Sequence, residues 1–105
     1  MTRRSSNGTA SAVAIPPHVF TLYVADIKPA SRRAVINLRS FCNDHLPGRC
    51  QVQVVDIGEF PQVAREENIV AVPTLIKSWP LPRQIFVGDL SDTAMLLSRL
   101  NLDAT

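Results

Sequence analysis

The chain has 105 residues and a formal charge of +2, with 11 Lys+Arg against 9 Asp+Glu. Both surplus charges are Arg3 and Arg4, so from His18 onward nine basic residues stand against nine acidic ones, which argues against a nucleic-acid partner. The length allows one core, and a composition 46% apolar and 19% charged is that of a globular chain rather than a disordered one.

Residues 1–17 read as a flexible tail ahead of a single domain over 18–105. Ser5, Ser6, Asn7, Gly8 and Thr9 directly follow the arginines, where a signal peptide would place a run of ~7–15 apolar residues. No apolar run approaches the ~20 residues that cross a bilayer, so no membrane partner is expected and the location expected is cytoplasmic. The run His18 to Ala25 is β-branched and aromatic and predicts a buried strand. Asp26 to Pro29 is a turn, with Ser31 as a candidate helix cap. Ala34, Val35, Leu38, Phe41, Cys42 and His45 then recur at helical spacing as far as Leu46, and Pro47-Gly48 stops the helix. Cys50 to Ile57 predicts a second strand. Strand, helix and strand form a βαβ unit, which makes the two strands parallel.

Gly58 to Pro61 reads as a loop and Gln62 to Asn68 as a short polar helix. Thr74 to Lys77 and Arg83 to Val87 predict a hairpin joined by the stiff turn Trp79-Pro80-Leu81-Pro82. Ser91 or Asp92 caps a last helix bearing Met95, Leu96, Leu100 and Leu102. The order β-α-β-α-β-β-α predicts an α/β, thioredoxin-like domain with a mixed four-stranded sheet and helices on both faces.

Cys42 and Cys50 lie outside any CxxC or zinc-ligand spacing, so no metal is expected. They read as two unpaired thiols, with a disulfide between them as the alternative. Thioredoxin chemistry needs a thiolate at the start of the first helix, and Pro29-Ala30-Ser31-Arg32 offers no sulfur there. The chain is therefore expected to be neither an enzyme nor dependent on a cofactor. A glutathione-binding enzyme using Ser31 beside Pro73 is the enzymatic alternative. Asp89 reads as a turn or cap residue, Trp79 as a packing or interface residue, and His45 as a cation suited to a helix C-terminus.

Six segments in order carry a resemblance: Leu22-Tyr23-Val24-Ala25, Val55-Asp56, Pro61-Gln62-Val63-Ala64, Val72-Pro73-Thr74-Leu75, Pro80-Leu81-Pro82-Arg83 and Gly88-Asp89-Leu90-Ser91. Over His18 to Leu102 the chain resembles the KaiB family of circadian-clock proteins. The resemblance implies a partner protein that binds the ATPase ring of KaiC and modulates its activity. It also implies two folds: a ground-state fold that assembles into tetramers, and a thioredoxin-like monomer that binds KaiC. Self-association to dimers or tetramers is expected on the same basis, with the ground-state tetrameric fold as the alternative architecture. The sensor domain of SasA-type histidine kinases is a further relative.

Arg33, Gln53, Gln62 and Asn68 are the partner-binding candidates that the resemblance implies. Pro73, Pro80, Pro82, Gly88, Arg99 and Asn101 are the candidates for controlling the choice of fold. Pro73 stands where thioredoxin-like folds keep a cis proline. Pro80 and Pro82 are positions whose isomer could differ between folds, the alternative being a rigid turn. Family members commonly carry lysine where this chain has Ile36, Gln53 and Asn68, glycine in place of Arg99, and aspartate in place of Asn101. A diverged adaptor in stress signalling, with a different partner, is the alternative function. Arg99 and Asn101 are expected to favour a C-terminal helix, and with it the thioredoxin-like fold.

Overall fold

The computed structural model describes residues 17–102; residues 1–16 of the expected tail and the last three residues lie outside that range. The elements are β1 (His18–Val24), α1 (Pro29–His45), β2 (Cys50–Asp56), α2 (Pro61–Glu66), β3 (Thr74–Trp79), β4 (Gln84–Val87) and α3 (Thr93–Arg99). They form one four-stranded sheet in the order β2-β1-β3-β4. β1 runs parallel to β2 and antiparallel to β3, and β3 pairs antiparallel with β4. This is the mixed sheet that the element order predicts.

Period-two alternation sends Phe20, Leu22 and Val24 to one face of β1. There they join Leu75 and Phe86 beneath Ala34, Leu38, Phe41 and Cys42 of α1 and Leu96 and Leu100 at α3. Leu22 is flanked in the register by Val54 on one side and Leu75 on the other. The second face buries Tyr23, Thr74 and Ile76 but is thinly covered. α2 contributes no buried residue, and Ile85 and Val87 stay exposed.

The helix ends differ from the sequence expectation in instructive ways. Both α1 and α2 start on a proline, Pro29 and Pro61, whose missing N–H would be unbonded in a first turn anyway. Lys28 takes the cap position of α1, and Ser31 lies inside the helix rather than capping it. Asp92 does cap α3, its side chain accepting from the Met95 amide at 3.0 Å.

The C-termini of α2 and α3 share one device. After α2, the Asn68 amide donates to the Arg65 carbonyl (3.3 Å) and the Ile69 amide to Ala64 (2.8 Å). After α3, the Asn101 amide donates to Ser98 (3.1 Å) and the Leu102 amide to Leu97 (2.8 Å). Asn68 and Asn101 have φ of 56° and 59°, the left-handed conformation that asparagine tolerates better than most residues. These paired bonds are Schellman motifs, and they end each helix. Asn101 is therefore a terminator beyond α3, not a residue of its last turn, and the helix stops at Arg99 rather than reaching Leu102.

One end of the core face is polar. His18 stacks on Phe20 with ring centroids 6.0 Å apart, and Lys77 is buried close by on β3. Among the described residues, His18 Nδ1 and Gln84 Oε1 are buried without a hydrogen-bond partner. Burial, then Lys77, then Arg49 hold the imidazole pKa below its ordinary value of 6.5. The unfolded chain thus binds this proton more tightly, so stability falls as pH drops through 6.5 toward the lower folded value. The melting temperature is expected to decline as the pH falls from about 7.5 through 6.5. His18→Phe should flatten that decline; an equal slope in the variant would assign it to other groups.

Candidate functional site

The start of α1, where thioredoxin-like folds place their chemistry, is here a structural joint. The Ser31 side chain is 1% exposed, and its Oγ accepts the Ala25 amide at 3.1 Å. The hydroxyl thereby secures the end of β1 to the first turn of α1. The thiols lie elsewhere: Cys42 late in α1 and Cys50 at the start of β2, both free, beside a cavity of about 300 Å³ also lined by Arg39 and Asn43. Burial raises both pKa values, and a hydrogen bond to Cys50 raises Cys42 further. Groups held as thiols at neutral pH are poor nucleophiles. The Val72–Pro73 bond is cis, as expected for this position, and so are Trp79–Pro80 and Leu81–Pro82.

Arg33 sits on the outer side of α1, its side chain 57% exposed, with Nε donating to Asp89 Oδ2 at 3.1 Å. One turn later, Asn37 Nδ2 donates to the Asp89 carbonyl at 2.8 Å. Asp89 Oδ1 also accepts the Ser91 amide at 3.1 Å. Hydrogen bonds from the Ser91 hydroxyl, then from Arg33, then from the Ser91 amide hold the Asp89 carboxyl below its ordinary value. Asp89 is thus a turn residue, as its sequence context suggests, and it also fastens the β4–α3 turn to α1. Gly88 opens that turn at φ 120°, which favours glycine, and Leu90 adopts φ 64° while burying its side chain in the core.

The other partner-binding candidates occupy a different surface. Gln53 lies on edge strand β2, level with Thr21 on the second sheet face, and is exposed. Gln62 is exposed on α2, and Asn68 ends that helix. Arg33 does not join them; it belongs to the junction of α1 with the β4–α3 turn. Sequence reading missed what Asn37 does, because nothing in its spacing announces a bond to a backbone carbonyl 52 residues away.

Among the fold-choice candidates, Pro80 and Pro82 lie in the β3–β4 connection and Pro73 precedes β3. Arg99 does more than favour a helix. Its guanidinium lies 4.4 Å from the Phe86 ring centroid, and Nη2 reaches the Ile85 carbonyl at 3.5 Å. The Arg99 carbonyl in turn accepts from Gln84 Nε2 at 2.8 Å. The end of α3 is therefore fastened to β4 on three counts.

The sequence matches the family model for the KaiB domain over residues 21–102. It is 37% identical over 84 residues to circadian clock protein KaiB3 of Synechocystis sp., covering 80% of this chain and 82% of the relative. It is 39% identical over 85 residues to circadian clock oscillator protein KaiB of Synechococcus elongatus, covering 81% and 83%. Among solved structures, the N-terminal domain of Synechococcus elongatus SasA superposes with a TM-score of 0.65 at 24% identity, covering 95% of this chain and 90% of that one. Chloroplastic thioredoxin z superposes at 0.66 and 16% identity, covering 86% and 82%. The two structural likenesses establish a thioredoxin-like fold, and no helix among the described residues is long and apolar enough to cross a membrane. With the family model matched from β1 to the residue after the α3 terminator, and two clock proteins alike over four-fifths of the chain, this protein belongs to the KaiB family.

Proposed function

We propose that the chain is a non-enzymatic clock or signalling protein that binds a KaiC-type ATPase ring and modulates its activity. Membership of a clock-protein family, in a thioredoxin-like fold, is the observation that carries this reading. The chemistry at α1 agrees with a binding role. The start of α1, where a thioredoxin keeps its thiolate, holds the sulfur-free Pro29-Ala30-Ser31-Arg32, and the buried Ser31 hydroxyl is committed to the Ala25 amide rather than open to glutathione. The proposed partner surface comprises Arg33 on one side and Gln53, Gln62 and Asn68 on the other.

The test is titration of the fluorescently labelled chain with a purified KaiC-type ATPase ring, with ATP hydrolysis followed in parallel. Saturable binding and a changed hydrolysis rate are expected. Arg33→Ala should weaken binding about tenfold, the loss typical of an interface arginine. The fold should persist, because an exposed ion pair such as Arg33–Asp89 contributes little to stability. Absence of binding at high micromolar concentration would overturn the reading.

A second reading has its own observation. Ile36 is exposed on α1 and apolar, and the resemblance points to lysine there, as at Gln53 and Asn68. Exchanging cations at these three positions for an isoleucine and two amides suits a partner less acidic than KaiC, as in a diverged stress-signalling adaptor.

A further inference from the structure

Among the described residues, β4 forms one edge of the sheet. The Gly88 amide donates to the Pro73 carbonyl at 3.0 Å, which fixes the phase of the antiparallel ladder. In the register Thr74↔Val87, Leu75↔Phe86, Ile76↔Ile85 and Lys77↔Gln84, the backbone groups of Gln84 and Phe86 turn inward to β3. Those of Ile85 and Val87 turn outward. The same two residues carry apolar side chains that are 45% and 64% exposed. An edge with free backbone groups and apolar side chains is a template for another strand.

The sequence across this edge is complementary to itself. It reads Arg83-Gln84-Ile85-Phe86-Val87-Gly88-Asp89. Turned antiparallel about Phe86, it sets Ile85 opposite Val87 and Arg83 opposite Asp89. We propose that the β4 edge docks a second copy of this chain, with the two β4 strands antiparallel about a twofold axis at Phe86. In that register the outward amides and carbonyls of Ile85 meet those of Val87 in the other copy, and two sheets become one of eight strands. The apolar pairs lie on the thinly covered face. Arg83 and Asp89 already have partners within the chain, Glu67 at 3.7 Å and Arg33 at 3.1 Å, so the charges across copies chiefly select the register.

Two features set the strength. β4 has four residues, so strand pairing alone falls short of the roughly 1,000 Å² expected of a stable interface. The Arg99 guanidinium also occupies the edge, donating to the Ile85 carbonyl over a long 3.5 Å. It must swing away before a second strand can pair, and so acts as a guard. The dimer is therefore weak and dependent on concentration. This inference concerns self-pairing of the thioredoxin-like form and stands apart from binding to a KaiC-type ring.

The experiment is sedimentation velocity on the full chain from micromolar to millimolar concentration, with amide NMR spectra over the same series. A rising sedimentation coefficient and shifts centred on the Ile85 and Val87 amides are expected. Val87→Lys should weaken association about tenfold, because both apolar pairs are lost and each edge gains a cation. Ile85→Thr, which keeps a strand-forming side chain, should weaken it too and covers the case in which the lysine disturbs the hairpin. Arg99→Ala should strengthen association severalfold. A chain that stays monomeric to millimolar concentration would overturn the proposal. So would association that both edge variants leave unchanged, or shifts centred away from β4.

Discussion

Phe86→Ala is expected to cost about 3–5 kcal/mol, a large share of the ~5–15 kcal/mol that holds a domain of this size together. The ring is 1% exposed and sits opposite Leu75 on the core face, with Leu96 and Leu100 in the same cluster. Its removal leaves a cavity that short strand β4 and the rigid proline turn cannot close by shifting. It also removes the ring on which Arg99 rests, so the end of α3 loosens at the same time. Urea unfolding checks the magnitude. A loss below about 1 kcal/mol would mean that β4 collapses inward and that α3 does not depend on the ring.

The second large effect concerns the choice between folds. In Arg99→Gly with Asn101→Asp, a good helix former gives way to glycine, at about 1 kcal/mol. The contact of the guanidinium with Phe86 disappears as well, a further ~0.5–1 kcal/mol at an exposed position. The aspartate adds an anion beside a helix C-terminus, in the unfavourable direction, while keeping some tolerance for the left-handed backbone. Together the terms reach roughly 1.5–2 kcal/mol, a change of about ten- to thirtyfold in relative population. Where two folds lie within a few kcal/mol, that decides which one is seen. On the proposal that Arg99 and Asn101 set this balance, the double variant should show a second, slowly exchanging set of amide signals at dilutions that keep the chain monomeric. A single unchanged set would show that the end of α3 does not control the fold.

The elements were legible because their signals are local. His18 to Val24 and Cys50 to Asp56 are rich in β-branched residues, the apolar spacing of α1 is regular, and Pro and Gly punctuate the rest. The boundaries were less legible. Ser31 looks like a cap because serine favours caps, yet Pro29 had already taken the first helical position and moved Ser31 inside. Asn101 looks like part of a helix because apolar spacing continues through Leu102, whereas its left-handed backbone is what ends the helix. The surface was legible only in part. Arg33 is exposed as expected, but its tie to Asp89 spans 56 residues and depends on how α1 packs, which no local pattern encodes. Arg99 was read for its helix propensity and its charge at a helix end, and its seat over Phe86 emerges only once β4 lies beneath it.

The uneven cover of the two sheet faces implies that the molecule does not open as a unit. On one side, α1 and α3 share a cluster running from Ala34 to Leu100 with the inward residues of the strands. On the other, α2 is six residues long and holds nothing fully buried. A helix that short is not self-sustaining in water, so it persists through the proline that starts it and the asparagine that ends it. The backbone from Pro61 to Ile69 can therefore exchange its amide hydrogens through local fraying, while the amides of β1 and β3 wait for rupture of the whole core. The chain thus divides into a yielding flap and a cooperative body, and substitutions in the flap are absorbed where equal ones in the body are not.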